Sequence, residues 1–329
     1  MLEIRRAVYQ DIPDIMQFIG RYYKKNHILA RDRKFFEWQY VDRGKVNMYI
    51  AIDGNKVYAI EGFVIYNDLD SPDMTGSMWK SIRCEENTMV GIDVDQLLQE
   101  EIHPRYCYGT GYSSRTIQFH KLLGHEIIRL RHFYRLSDQE DYKIARISTK
   151  HILERADKGY VFRKIDTIDE FKKVISEDTL KKRIFYKDYH YIDKRFFHHP
   201  IWQYQVLAIR SNEGEENAVV VARIVESQGS KCIKIVDYYG GQETIGCTAT
   251  AWDKLMKQNS CEYVDIYAYG FTTELMEKAG FCERMEEDEN IIPNYFEPFE
   301  QRNIELWMMR PEVDGLILMR GDGDQDRPC

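Results

Sequence analysis

The stretch Ser113-Ser114-Arg115-Thr116-Ile117-Gln118-Phe119-His120-Lys121-Leu122-Leu123-Gly124-His125 lies between an aromatic run, Tyr106 to Tyr112, and an apolar run, Glu126 to Arg135. Pattern and length predict a strand over Tyr106–Tyr112, a helix over Arg115–Leu123 and a closing strand over Glu126–Arg135. Ser113 or Ser114 is suited to cap that helix. His120 sits near its end, an imidazole able to exchange protons near neutral pH.

Toward the N-terminus, Leu2–Ala7 reads as a strand and Asp11–Lys24 as a helix, with Ile12, Ile15, Phe18 and Ile19 on one face. Asp11 is the expected N-cap, with Pro13 just inside the start. A second helix is expected over Arg33–Val41, then a hairpin of Met48–Asp53 and Lys56–Tyr66 turning at Gly54-Asn55. Met78–Arg83 is a further strand and Asp93–Ile102 a helix. Beyond the quoted stretch, Asp138–Lys158 is polar and reads as a connection, with a helix near Lys150–Asp157. The cycle then repeats: strand Tyr160–Asp166, helix Thr167–Ser176, and an aromatic stretch Phe185–Tyr204. Strands follow at Gln205–Arg210, Ala218–Ser227 and Lys231–Tyr239, then helix Thr248–Gln258, strand Tyr263–Tyr269, helix Thr272–Lys278 and strand Asn303–Met309. Strands alternating with helices in this order predict an α/β chain with mixed sheets and helices on both faces. The expected domains are residues 1–140 and 160–329, joined by 141–159.

With 329 residues, the chain is long enough for two domains. Its net charge of -8 and its short Lys/Arg clusters provide no basic field for nucleic acid. No segment approaches the roughly 20 apolar residues of a membrane span, and the N-terminal residues lack the apolar core of a signal peptide. Seven cysteines, none in a C-x-x-C pair, fit free thiols in a reducing, cytoplasmic setting. No Cys/His spacing suggests a metal. His198-His199, before Pro200, reads as a turn or part of an aromatic patch.

The element order and the Ser113–His125 text resemble the GNAT acyltransferase superfamily. That family has an Asn or Ser after a strand, then a helix ending Tyr-x-x-x-Gly-Phe. Here Gly124 falls in place and His120 stands at the position of the tyrosine acid. A looser copy is Met276-Glu277-Lys278-Ala279-Gly280-Phe281. Two later strings, Ile291-Ile292-Pro293-Asn294-Tyr295-Phe296-Glu297-Pro298-Phe299 and Gly321-Asp322-Gly323-Asp324-Gln325-Asp326-Arg327-Pro328, resemble hallmarks of tandem-GNAT N-acyltransferases in surface-polysaccharide (lipopolysaccharide, O-antigen) biosynthesis. The resemblance implies two tandem GNAT-like domains, each a mixed, mostly antiparallel sheet flanked by helices. It implies transfer of an acetyl or short hydroxyacyl group, such as 3-hydroxybutanoyl, from acyl-coenzyme A to the amino group of a nucleotide-linked, dTDP-type amino-deoxy sugar. The only co-substrate implied is acyl-coenzyme A.

On that resemblance the pyrophosphate loop is Thr88-Met89-Val90-Gly91-Ile92-Asp93, with Asp93 replacing the family's second small residue. Met89, Val90 and Gly91 would bring backbone N–H groups to the pyrophosphate, and Ser113 and Ser114 would hold the pantetheine arm. In plainer readings Gly91 is a turn, Asp93 an N-cap and His120 a packed helix residue. His120 would protonate the leaving thiolate, and Glu297 or Asp322 would take the amine's proton. Asn294, Tyr295, Phe296, Asp324, Asp326 and Arg327 would bind the sugar nucleotide, by stacking, by attraction of the ammonium and by an Arg–phosphate contact. Three other readings compete: a non-catalytic nucleotide-sugar binder on degenerate GNAT folds, an aminoacyl-tRNA-dependent peptidyl ligase, and a protein-amine acetylase. The acidic pI of about 5.7 disfavours the tRNA partner.

Overall fold

Residues 48–65 form the hairpin that organises the first half: Met48–Asp53 pairs antiparallel with Lys56–Ile65 across a Gly54 turn with φ of +58°. The computed structural model describes residues 1–122, 124–151, 153, 159–310, 313–324 and 326–328, apart from the side chains of residues 115, 119 and 324. Of the helix expected near Lys150–Asp157, residues 150, 151 and 153 are not helical, and residues 152 and 154–157 lie outside the described residues. The chain divides into two compact units. One comprises Met1–Gly109 with the residues from Arg327 on, the other Thr110–Asp326.

The first unit is a five-stranded sheet in sequential order: β1 Glu3–Arg6, β2 Met48–Asp53, β3 Lys56–Ile65, β4 Asp73–Ser81 and β5 Tyr106–Cys107. Neighbours are antiparallel except β4 and β5, which run parallel and pair only at Asp73–Tyr106 and Met74–Cys107. Helix α1 (Ile12–Tyr22) buries Ile12, Ile15, Phe18 and Ile19, and α2 (Arg33–Tyr40) buries Phe35, Phe36 and Tyr40 in the same core. Helix α3 (Val90–Ile102) covers the other face through Val90, Val94 and Leu98. Asp11 stands at the N-cap of α1, but its carboxylate does not cap that helix. It accepts instead from Val8 N–H (2.7 Å) and Arg5, a stronger charge-assisted partner. Helix α3 begins at Val90 rather than Asp93, and the Tyr106–Tyr112 strand shrinks to two residues.

In the second unit, helix α4 (Ser114–Leu122) precedes β6 Ile127–Arg129 and β7 Arg131–Leu136. The single strand expected over Glu126–Arg135 is thus broken at Leu130, whose N–H reaches Leu306 O. The eight-stranded sheet that follows has the order β8 Val161–Ile165, β9 Gln205–Arg210, β10 Glu216–Ser227, β11 Ser230–Gly240, β12 Cys261–Tyr269, β7 and β13 Cys282–Glu283. It also contains β15 Leu318–Met319, paired with β12, while β14 Trp307–Met309 pairs with β6. Strand β7, read as closing the first half, is thus an inner strand of the second unit. Its alternate side chains are buried on both faces (Phe133 1% exposed, Tyr134 0%), which an edge position would not allow. Helix α5 (Ile168–Val174) follows β8, and, as in the first unit, all pairs among the described residues are antiparallel save one: β11 and β12 are parallel and linked by helix α6 (Ala249–Asn259). One face packs Ile233, Ile235, Val264, Ile266 and Ala268 against Trp252 and Met256 of α6. Part of the expected connection 141–159 is built in. Ile144 and Ala145 are buried, and the Glu262 carboxylate accepts from the N–H groups of Lys143, Ile144 and Ala145 at 2.6–3.0 Å.

Candidate active site

The second face of the larger sheet is buried too, but it is polar. The register of the parallel pair sets Lys234 beside Asp265, with Nζ 2.8 Å from Oδ2. Lys234 Nζ also donates to Pro293 O at 2.5 Å and Tyr263 OH at 3.3 Å. His132 of β7 lies opposite Tyr267, and their rings stack at 3.9 Å. Its Nε2 is 2.8 Å from Asp265 Oδ2, and Arg284 Nε donates to its Nδ1 at 3.3 Å. The imidazole therefore carries its proton on Nε2, and burial pulls its pKa down to about 4 against the opposing pull of Asp265. Arg284 blocks the only lone pair, so His132 holds Asp265 in place rather than acting as a free base. Burial raises the Asp265 carboxyl, but Lys234 and His132 outweigh it and hold it below the ordinary carboxylate range. Two short strings, Ile233-Lys234-Ile235 and Val264-Asp265-Ile266, are the sequence signal for this layer: a charge alternating with apolar residues in an interior strand.

Beyond Ile235 and Ile266 the parallel strands separate, and residues 318–321 enter between them. Met319 pairs with Ala268, Arg320 N–H bonds Tyr267 O (3.1 Å), and Gly321 N–H bonds Val236 O (3.0 Å). A Cβ on Gly321 would stand 2.9 Å from Val236 O, so glycine permits this approach. Asp322 is 1% exposed. Its Oδ2 accepts from Met319 N–H at 2.7 Å and its Oδ1 lies 2.7 Å from Lys187 Nζ, which also pairs with Asp237. Burial raises the Asp322 carboxyl, and Lys187 opposes that rise. Gly323 packs on Thr110, whose hydroxyl donates to Asp322 O at 3.1 Å. Asp326 accepts from Tyr204 OH (2.8 Å) and Arg223 (3.0 Å), and its carbonyl takes Arg195. Burial pushes its carboxyl up, but Arg223, Arg320 and Arg195 outweigh that and keep it low. Asp324 ends the same short turn. Arg327 belongs to the first unit, where its Nη1 donates to Ser77 O at 3.0 Å.

Pro293 O ties the Asn294 string to Lys234, whose Nζ is also 5.0 Å from the Phe296 ring. Asn294 Oδ1 is buried without a hydrogen-bond partner. Tyr295 is 41% exposed, and Glu297 is exposed where the two-stranded hairpin of 295–296 and 299–300 turns. Ser113 caps α4, accepting from Thr116 N–H at 3.3 Å, and Ser114 is exposed at the first helical position. His120 stacks on Tyr112 at 4.7 Å, with its Nδ1 3.2 Å from His125 Nδ1. His199 lies in an aromatic patch with Trp202 and Tyr204.

Met89, Val90 and Gly91 open α3 in the first unit. Met89 is 53% exposed, and its N–H bonds Asn87 Oδ1 (2.9 Å). Asn87 Nδ2 in turn bonds Asp93 (2.6 Å), so the Asp93 carboxylate is turned onto this loop. A Cβ on Gly91 would stand 2.8 Å from Ser81 Oγ, and Trp79 Nε1 donates to Gly91 O, so the glycine lets α3 seat against β4. Among the described residues no group of three or more His, Cys, Asp or Glu is arranged to hold a metal, and no helix is long and apolar enough to cross a membrane.

Both sheets share one motif: antiparallel strands leading to a parallel pair bridged by a helix, β4–α3–β5 and β11–α6–β12, which the larger sheet continues with antiparallel β7 and β13. Over 94% of the chain this architecture superposes on 72% of a GCN5-related N-acetyltransferase from Anabaena variabilis, with TM-score 0.56 and 8% identity. The fold is that of the GNAT acyltransferases. A probable N-acyltransferase from Enterococcus faecalis matches 86% of this chain and 70% of its own (TM-score 0.53, 11% identity). The glucosamine N-acetyltransferase region of a fungal multi-domain GH3 β-N-acetylglucosaminidase matches 94% of this chain and 38% of its own (TM-score 0.53, 10% identity). No family model matches the sequence, and no curated protein does.

Proposed function

We propose that the protein is an acyl-coenzyme A-dependent N-acyltransferase whose acceptor is the amino group of a nucleotide-linked amino-deoxy sugar, in surface-polysaccharide biosynthesis. The observation that carries the reaction class is the repeated parallel pair bridged by a helix, on a fold shared with solved N-acyltransferases. An amino sugar as acceptor is supported by the Asn294–Phe299 and Gly321–Pro328 strings. It also accords with the glucosamine N-acetyltransferase region among the structural neighbours.

In this reading Met89, Val90 and Gly91 open α3, and the positive end of that helix favours the pyrophosphate of acyl-coenzyme A. Ser113 and Ser114 are the residues that the resemblance assigns to the pantetheine arm. The amine lone pair attacks the thioester carbonyl carbon, a C–N bond forms, and the C–S bond breaks. His120, its ring fixed by Tyr112 and His125, gives a proton to the departing thiolate. Exposed Glu297 takes the proton released by the nitrogen. Asn294, Tyr295 and Phe296 contact the sugar nucleotide, with Asp324, Asp326 and Arg327 in the adjoining segment. Asp322, buried between Met319 N–H and Lys187, acts by holding that segment in shape.

The test is free-thiol release from a panel of acyl-coenzyme A compounds, with and without nucleotide-linked 3- and 4-amino sugars. Thiol release that requires one sugar is expected. Saturable sugar-nucleotide binding with no thiol release from any pair would favour the non-catalytic binder instead.

A further inference from the structure

Arg320 is 3% exposed, and both its Nε and its Nη2 lack a hydrogen-bond partner. These two nitrogens form one edge of the guanidinium, the side-on fork that matches two coplanar oxygens of a carboxylate or phosphoryl group. The group is held in place. Its backbone N–H is bonded to Tyr267 O, and its Cζ sits 5.2 Å over the Tyr267 ring, itself stacked on His132. The nearby carboxylates have partners of their own. Asp265 is paired with Lys234 and His132, and Asp326 with Arg223 and Tyr204. Burial raises both carboxyls, and Arg320 is among the cations that bring them back down. Arg223 adds another donor: its Nη2 is bonded to Asp326, its Nε is buried without a partner, and its guanidinium lies 3.6 Å from the Trp202 ring centroid.

A buried cation without a partner is strongly unfavourable, and an unmet buried donor costs its desolvation. Two guanidinium groups pinned on aromatic faces, with three donors unmet between them, are arranged to receive an oxyanion. Arg320 lies where parallel strands β11 and β12 separate at their carboxyl ends, a position at which open α/β sheets commonly form ligand crevices, and Arg223 is on the neighbouring strand β10, opposite Lys234. We propose that Arg320 and Arg223 form an oxyanion-binding site in the second unit. The Arg320 fork would take two oxygens of a carboxylate or phosphoryl group, and Arg223 Nε would add a further contact. The proposal does not depend on the acyl-transfer reading.

The competing occupant is water, because Asp265 Oδ1 on the same face also lacks a partner and a water could serve it together with Arg320. The full chain should be titrated separately with inorganic phosphate and with acetate at constant ionic strength set by chloride. Melting temperature and ligand NMR line width would be followed. A saturable response to at least one oxyanion is expected. Which of the two responds identifies the ligand as phosphoryl or carboxylate. Arg320→Lys, which keeps the charge but loses the fork, should weaken that response at least tenfold, whereas Arg302→Lys, on an exposed side chain, should leave it unchanged. If Arg320→Lys does not fold, Arg223→Lys serves in its place, with a weakening of several-fold expected. The proposal is overturned if neither oxyanion acts beyond the chloride control, or if the arginine variants bind as the unaltered chain does.

Discussion

Glu61 and Lys234 are both buried at a sheet centre, and they answer to pH and to mutation in different ways. Glu61 has one carboxylate oxygen without a partner, and burial followed by the nearby Asp95 raises its pKa well above the ordinary value. A carboxyl with a raised folded-state pKa contributes stability below the unfolded pKa and loses it as pH climbs toward the folded one. Glu61→Gln should therefore match the unaltered chain near pH 4–5 and melt at a higher temperature at pH 8. A melting difference that does not widen between those pH values would contradict this. For Lys234, truncation to Met leaves Asp265 buried without its lysine, and a loss of about 3–5 kcal/mol in urea unfolding is expected. Lys234→Met combined with Asp265→Asn should recover much of that loss, because no lone charge is then left in the layer.

Glycines test the packing of elements. Gly280 follows α7 (Thr273–Lys278) with φ of +75°, and a Cβ there would stand 1.5 Å from Arg135 Nη1. Gly54 has a similar φ of +58° but nothing within 4 Å of its would-be Cβ. Gly54→Ala should cost only the backbone term, about 1 kcal/mol. Gly280→Ala should cost distinctly more, because Arg135 must leave Asp253 and Ala279 O. Equal costs in denaturant titration would show that Arg135 moves freely. The contrast also shows what was legible beforehand. The hairpin at Gly54-Asn55 and helix α1 follow from local turn chemistry and apolar spacing, so their limits agree closely with expectation. The parentage of β7 does not, because alternation says that a strand is buried but not which sheet buries it. The burial of Asp322 and Asp326 is not legible in the sequence either. Their burial depends on Lys187, Arg223 and Tyr204, residues distant in sequence that no local pattern links to them.

At the scale of the molecule, the element order of the GNAT fold was visible from the sequence, whereas the buried polar face of the larger sheet was not. Residues 318–322 fill the opening between β11 and β12 and bring Asp322 to Lys187, while Asp326 meets Arg223. Removing residues from Gly315 onward takes these acceptors away and leaves several cations buried. The truncated chain should accumulate as insoluble material, or show rapid proteolysis within residues 183–240. A soluble truncated protein with an unchanged melting temperature would show that the segment is an accessory rather than part of the sheet.

Strand β7 is synthesised well before either of its neighbours, β12 and β13, and the opening beside β12 is filled later still. The smaller sheet joins strands in sequential order and can form as it emerges. The larger one must hold Phe133 and Tyr134 in waiting until residues 261–283 exist, and its polar layer until residue 326 does. Non-local pairing of this kind is slow and leaves apolar strands open to wrong partners. The growing chain thus passes through an interval in which the five-stranded sheet can already form while the larger sheet still lacks its inner partners.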